Sequence, residues 1–384
     1  MALPTRCDMP WAARAVPPGQ GGAGTQIISL YIGTYTDGAS EGIYRIELDA
    51  VRESFSAPVL VAKAVNPTFF AWHPERPVMY AVSETSGVPP GNTGGLLAFR
   101  IGADGGLEQI GAVATGGASP CYVSLDAAAA HAFVANYHGP TVAVFRLQPD
   151  GRPGERTALI RHEGSGPHPV RQTRAYPHSI RLLPGGQFVA AADLGADRLF
   201  VYRFDPQTGA LTRHDRAAEA RPGAGPRHFA PHPDGRLIFV MNELGSTLAS
   251  YAWDAAAGRF TPLDEVSTLP DGFTGENTTA EVAVHPSGLF VYGSNRGHDS
   301  IAAFRVGDRG GLSRIGLYPT GGRTPRHFAI VPGGRLLVVA NQESDSLVLF
   351  RIDPATGELA RTAAQVQVPA PAFVGIPGTS GNPS

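Results

Sequence analysis

One phrase recurs along this chain, and its recurrence limits the fold more than any other property. From Gly225 to Glu243 the sequence reads GPRHFAPHPDGRLIFVMNE. An Arg-His pair opens a short apolar strand, a Pro-Asp-Gly turn reverses the chain, and a second apolar strand closes on Asn-Glu. Close variants are YPHSIRLLPGGQFVAAADL from Tyr176, TAEVAVHPSGLFVYGSNR from Thr279 and TPRHFAIVPGGRLLVVANQ from Thr324. Weaker copies are NPTFFAWHPERPVMYAVSE from Asn66 and SPCYVSLDAAAAHAFVANY from Ser119. Self-similarity on this scale is the mark of a repeat architecture, in which one supersecondary unit cannot bury its apolar face alone.

Each unit continues in the same way. The second strand ends in a small polar cluster (SET, ANYHG, ADLGAD, NELGS, SNRGHD, NQESD). A third strand follows in an aromatic-aliphatic style (LLAFRI, TVAVFRL, RLFVYRF, TLASYAW, SIAAFRV, SLVLFRI). A Gly-rich turn then leads to a more polar fourth strand. The clusters at Asn136, Asp193, Asn242, Asn295 and Asn341 are spaced by 57, 49, 53 and 46 residues, and the third-strand motif, counted with Gly42 to Leu48, occurs seven times. Tight turns joining four strands make one antiparallel meander per unit. The predicted fold is therefore all-β: a seven-bladed β-propeller with four antiparallel strands per blade, in which radial repetition leaves only short, protected edges. A linear β solenoid is the alternative, but its repeats are shorter and more uniform in length.

The ends predict ring closure. IISLYIGTY (Ile27 to Tyr35) and GIYRIEL (Gly42 to Leu48) read as second and third strands with no inner strand before them, and ESFSAPVLVAKA as a rougher strand after them. PAFVGI (Pro371 to Ile376) is left over at the other end, so a C-terminal strand is expected to join the N-terminal blade. The propeller then spans residues 27–376, preceded by a disordered leader over 1–26 and followed by a flexible tail over 377–384. The 48 glycines and 34 prolines suit a fold with many turns.

Charge and cysteine usage exclude several classes. Only 17% of residues are charged and the net charge is −2, so no basic face marks a nucleic-acid partner. The two cysteines, Cys7 and Cys121, do not make a disulfide framework. No run of 18 apolar residues reads as a membrane span, and the Gly/Pro/Ala-rich leader lacks the apolar region of a secretory signal, which makes the cytoplasm the default address. No close-spaced His/Cys set and no Asp-rich loop marks a metal, so neither metal nor cofactor is expected. The sequence leaves monomer and weak homo-oligomer equally open.

Propeller sites lie where inner strands meet one mouth of a central channel. Two places in the repeat lead there: the residues opening the inner strand and the cluster closing the second strand. Those places hold His178, the pairs Arg227–His228 and Arg326–His327, and the closing residues Glu243 and Arg296. Glu281 opens an inner strand where other units carry Ser, Phe or Ala, which marks either a role in the channel or a blade-to-blade ion pair. Repetition of the Arg-His pair fits a site and fits equally a staple between neighbouring blades. Glu243 needs a cationic partner if buried. His73, His232 and His285 precede Pro in repeated turns and read as turn chemistry. The clusters containing Asp197, Asp299 and Asp345 read as Asx-type turns.

The phrases YIGTYT, PHSI, GPRHF, NEL, TAEVAVHPSG, SNRGHDSIAAF, TPRHFAI and VANQESD resemble the lactonase family of seven-bladed propellers, which includes propeller-type 6-phosphogluconolactonases and the carboxy-muconate lactonising ("cycloisomerase 2") enzymes. The resemblance runs from about Ile28 to Ile376. It implies a small anionic lactone as substrate, a metal-independent site and a catalytic set of one His, two Arg and one Glu. By motif these are His178, Arg227 and Glu243, with Arg296 placed as the second Arg. On that basis His178 is the general base, Arg227 the oxyanion partner and Arg296 the holder of a distal phosphate or carboxylate. Glu243 either orients a neighbour or protonates the leaving oxygen. Tyr176, His228, Glu281, Arg326 and His327 are expected to line the substrate. Tyr176 stands where relatives often carry His, and His327 where they often carry Asn. Three readings follow: a sugar lactonase of the 6-phosphogluconolactonase type, a muconate-type cycloisomerase, and a non-enzymatic interaction scaffold.

Overall fold

In the computed structural model of the protein, residues 26–88 and 93–378 are described. Of the expected leader over 1–26, residues 1–25 with Cys7 lie outside the described residues, as do residues 379–384 of the expected tail over 377–384. Seven antiparallel sheets follow one another along the chain. Numbered from the N-terminus, blades 2 to 7 each run from an inner to an outer strand, and their inner strands are Phe70–Trp72, Pro120–Leu125, Pro177–Leu182, Pro226–Pro231, Thr278–Val284 and Pro325–Ile330. Blade 1 is built from both ends of the propeller. Pro371–Gly375 forms its inner strand and pairs with Ile27–Thr34 through Tyr31↔Gly375, Ile32↔Val374 and Gly33↔Phe373. The closure read from PAFVGI is thus present. The outer edge of blade 1 departs from the expectation of one rough strand: it is split into Ser54–Phe55 and Val59–Lys63, both paired to Gly42–Asp49. Pro58 stands between the two pieces and cannot donate to a ladder.

The apolar pattern follows the position of each strand in its blade. Second strands are sandwiched between neighbouring blades on both faces, so they are buried throughout, as in Phe188–Asp193. Outer strands meet solvent on one face and alternate, as in Arg259–Ser267. Each core is shared by two adjacent blades: Phe133 and Val142 of blade 3 pack with Ile180 and Phe200 of blade 4, and Val374 and Ile376 pack with Val338 and Leu347 of blade 7. Gly33 marks one close approach, since a Cβ there would lie 2.3 Å from the carbonyl oxygen of Pro67 in blade 2.

The repeated histidines do turn chemistry between blades. His73, His232 and His285 each accept a backbone N–H of their own turn at Nδ1. At the other nitrogen, His232 donates to Gly288 O at 3.0 Å and His285 to Gly334 O at 2.8 Å, each glycine lying in the next blade's turn. The aspartates reach further than a local Asx turn. Asp197, Asp299 and Asp345 have φ near 51°, 54° and 51° and accept N–H groups of Gly225, Thr324 and Ala370, all at the start of the following blade.

The inner strands carry the feature that positions the site. In blade 4, Pro177 pairs with Asp193 but Ser179 pairs with Ala192, which leaves His178 as the extra residue of a bulge. The same irregularity leaves out Cys121 in blade 3, Arg227 in blade 5, Arg326 in blade 7 and Ala372 in blade 1. A bulge re-aims the extra side chain without breaking the sheet. Proline fits just before it, because the inner strand is an edge whose first N–H has no ladder partner.

Candidate active site

The five bulged residues converge. Cys121, His178, Arg227, Arg326 and Ala372 line one small cavity of about 10 Å³, room for about one water molecule, together with Thr68, Phe69, Glu84, His228 and His327. Residues from inner strands and from second-strand ends do meet at one mouth, but the channel beneath is closed. Phe69 of blade 2 stacks on Tyr122 at 4.2 Å, packs against Phe373 at 4.5 Å and reaches His228 of blade 5, on the far side of the ring, at 5.6 Å between ring centroids. His327 completes this floor against Phe373 at 4.2 Å. The site is therefore a cup, with chemistry in the bulge layer and an aromatic plug one residue further along the strands.

Glu243 is the centre of one wall. Its carboxylate is 2% exposed and meets three guanidinium groups. Arg296 Nη2 lies 2.9 Å from Oε2, Arg227 Nε lies 2.9 Å from the same oxygen at an angle too oblique for a hydrogen bond, and Arg171 Nη2 donates to Oε1. Burial pushes the carboxyl pKa up, but Arg296, Arg227 and Arg171 together overcome it and hold the group at about 2. Glu243 is ionised at any working pH. Three buried or half-buried cations around one anion leave excess positive charge in this wall.

Arg296 is less open than expected. It closes the second strand of blade 6, and its Nη2 also donates to Thr279 O at 2.8 Å while its Nε is buried without a partner. Burial lowers its pKa to about 10, which still leaves it charged at neutral pH. Arg227 Nη1 donates to Ala280 O of the next blade at 2.8 Å, so this arginine both faces the cup and staples two blades.

His178 stands beside this wall and is buried. Its Nδ1 lies 3.7 Å from the Cys121 thiol, and its ring centroid is 5.1 Å from that of His228. Burial, then the charges of Arg227, His228 and Arg326, push its pKa well below the ordinary histidine value, so the imidazole is neutral. Burial raises the Cys121 pKa, which keeps that sulfur a thiol.

Below, His228 Nδ1 donates to Glu281 Oε2 at 2.9 Å and His327 Nε2 lies 3.2 Å from the same oxygen. Burial lowers the pKa of both rings, that of His327 to about 4, and raises that of Glu281. Glu281 is thus a link across blades 5, 6 and 7 beside the cup, and His228 and His327, which it holds, line the cup. Of the predicted residues, Glu243, Arg296 and Glu281 do not line the cavity but stand behind it, Glu243 against Arg227, Arg296 against Glu243 and Glu281 against His228 and His327; Tyr176 lacks even that link. It stacks on Tyr137 at 4.9 Å at the rim, with its hydroxyl 3.2 Å from Thr173 Oγ1, and does not line the cup.

Sequence reasoning missed four groups. Arg171 sits in the long connection from His162 to Tyr176, which has no counterpart in the other repeats; Gln172 anchors it by donating to Leu194 O and Asp197 Oδ1. Tyr35, Thr68 and Glu84 form a wall on blades 1 and 2. Tyr35 and Glu84 close second strands, the same repeat position as Glu243 and Arg296, so the repeat could have identified them. Among the described residues no group of three or more His, Cys, Asp or Glu side chains is placed to hold a metal ion, and no helix is long and apolar enough to cross a membrane.

Comparison with known proteins gives a consistent picture. Residues 29–376 match the family model described as "Lactonase, 7-bladed beta-propeller". The 6-phosphogluconolactonase of Bacillus subtilis is 38% identical over 346 residues, covering 90% of this chain and 97% of that protein. Among solved structures, the periplasmic gluconolactonase PpgL of Pseudomonas aeruginosa superposes with a TM-score of 0.86 at 32% identity, covering 91% of this chain and 99% of that one. A Lactobacillus plantarum protein superposes with a TM-score of 0.85 at 32% identity, with 91% and 99% covered.

Proposed function

The chain belongs to the lactonase family of seven-bladed β-propellers, and from that membership we propose that it hydrolyses a small anionic sugar lactone of the 6-phosphogluconolactone class. One observation carries the reading within the site: a neutral, buried histidine lines the cup beside Arg227, which shares a single ionised glutamate behind the lining with Arg171 and Arg296. That combination supplies a base that is not charged and a field that favours negative charge, which is what water attack on an ester carbonyl requires.

In the proposed reaction His178 takes a proton from a water molecule as its oxygen bonds to the lactone carbonyl carbon. With Nδ1 turned to Cys121, Nε2 is the nitrogen for this transfer. Negative charge grows on the carbonyl oxygen and is stabilised by Arg227, whose guanidinium is already fixed by Glu243 and Ala280 O. The ring C–O bond then breaks. The imidazolium of His178 returns its proton to the departing alkoxide, giving the open-chain aldonic acid and a neutral imidazole. Of the two roles considered for Glu243, only orientation is compatible with a carboxyl held at about 2; it has no proton to give. Arg296 acts with it as a fixed positive charge rather than as a mobile clamp. The address of the enzyme follows from the substrate. A phosphorylated lactone does not cross a membrane unaided, so preference for it places the reaction in the cytoplasm, whereas preference for gluconolactone suits a periplasmic one.

The test is the initial rate of hydrolysis of 6-phosphogluconolactone and of gluconolactone by purified protein, above the uncatalysed rate. Turnover of the phosphorylated lactone by the wild type, lost in His178→Ala, is the expected result. Hydrolysis of neither lactone, with turnover of a muconolactone instead, would replace this reading by the cycloisomerase one.

A further inference from the structure

The fourth arginine of the cup is arranged differently from the other three. Arg326 has no carboxylate within 4.0 Å among the described residues. Its Nη2 donates to the hydroxyl of Tyr35 at 2.6 Å, and its Cζ lies 5.0 Å from the centre of that ring. A guanidinium can only donate, so the phenol oxygen accepts and its own proton must point elsewhere. It points to Glu84 Oε2, at 3.0 Å, which also accepts from Thr68 Oγ1 at 2.6 Å. Burial raises the Tyr35 pKa, so the phenol keeps its proton and the chain Arg326→Tyr35→Glu84 has one direction. The phenol fixes the guanidinium without neutralising it.

Arg326 also occupies a doorway. It lines the inner cup with His178 and Arg227, and it lines a wider open cavity of about 460 Å³ with Tyr35, Asp37, Gly38, Gln342 and Ala370, at the junction of blades 7 and 1. The inner cup alone has room for about one water molecule, so the body of a sugar lactone must lie in the wider cavity outside it. A longer substrate with its carbonyl at His178 must send its other end past Arg326. The donors that Arg326 does not give to Tyr35 have no acceptor among the described residues, and a planar guanidinium fork is suited to a phosphate. Asp37 lies on the exposed rim of the outer cavity, where solvent screens its charge.

We propose that Arg326 is the subsite for the terminal phosphate of a sugar-phosphate lactone, with Tyr35 and Glu84 as positioning residues that aim it. The proposal rests on the lactonase reading and reassigns to Arg326 the distal-anion role that the sequence suggested for Arg296.

The experiment measures kcat and KM of wild type, Arg326→Gln, Arg326→Lys and Tyr35→Phe on 6-phosphogluconolactone and on gluconolactone. Titration calorimetry with 6-phosphogluconate and gluconate runs alongside. Removing a charge-assisted contact of this kind costs about 10- to 100-fold. R326Q is expected to reduce the preference for the phosphorylated lactone by that factor, mainly through KM. R326K, which keeps charge but not the fork, should recover part of it. Y35F should lose roughly 3- to 10-fold of the same preference. An equal fall on both lactones, or a preference unchanged in R326Q, overturns the subsite. If the wild type hydrolyses neither lactone, the functional reading fails and the calorimetry decides the subsite. Tighter binding of 6-phosphogluconate than of gluconate, abolished in a folded R326Q, upholds it; equal affinities overturn it.

Discussion

The two walls of the cup use the same repeat positions to opposite ends. On blades 3 to 6, Arg171, Arg227 and Arg296 bear directly on the buried carboxylate of Glu243. On blades 7, 1 and 2, Arg326 bears on a carboxylate only through the phenol of Tyr35. Direct pairing gives a rigid wall whose charges are fixed relative to each other and whose carboxylate cannot be protonated. Pairing through a neutral hydroxyl gives an arginine that is aimed but still uncompensated. The difference teaches that a guanidinium's role in this cup is set less by its own strand position than by what lies at the end of the neighbouring second strand: a glutamate in blade 5, a tyrosine in blade 1.

The contrast breaks most visibly at Glu243. Glu243→Gln leaves three arginines without their anion, so urea unfolding should show a loss of about 3–5 kcal/mol, the usual cost of removing one partner of a buried ion pair. A loss under about 1 kcal/mol would mean that solvent reaches this wall freely. His178→Ala should retain the fold and lose on the order of 10²- to 10⁴-fold in kcat, which is the span of general acid-base catalysis; wild-type kcat in that variant would remove His178 from the reaction. Glu84→Gln sharpens the comparison from the other side. Because Glu84 reaches its arginine through a phenol, its unfolding midpoint should report only about 1 kcal/mol, and a loss as large as that of E243Q would make the two walls equivalent.

The smallest effect is a pH slope. His327 is held neutral when folded, its pKa moving from 6.5 to about 4, so the unfolded chain binds more protons between those values. Stability must therefore fall as pH falls across that window, and His327→Asn should flatten the decline seen in urea midpoints from pH 7 to pH 4.5. Glu243 acts lower. Its stabilisation is present above pH 4.5 and lost as pH falls toward about 2, outside the range where His327→Asn is read. On the same sign argument His178 stays neutral on mild acidification, and the acid limb of kcat/KM is expected below pH 6.5.

Much of this molecule was legible in the repeat. The blade count, the four-strand grammar, the turn histidines and the closing strand at Pro371 all follow from motif order, because an apolar strand flanked by fixed turn residues has few ways to be buried. Glu243, Arg227 and Arg296 were legible as candidates because they stand at the two places in the repeat that lead to the mouth and match motifs of the family the chain resembles. Arg171 was not, since a long connection has no periodicity to interrupt. Tyr35 and Glu84 were passed over because their blades are the most divergent copies. Tyr176 looked like a site residue because it stands where relatives often carry His, yet it precedes the bulge and stacks on Tyr137 at the rim.

Sequence alone determined that seven similar units must close on themselves and that polar residues at two places in each unit would share a mouth; local turn chemistry and apolar periodicity are enough for that. Only the tertiary structure decided which of those residues meet. The bulge after each inner-strand proline selects His178, Arg227 and Arg326 for the cup, with His228 and His327 following the two arginines into its floor, and partners from distant blades decide each charge. Whether a buried carboxyl is an acid or a fixed anion depends on which groups lie within a few ångströms of it, and those contacts form only when the ring is closed.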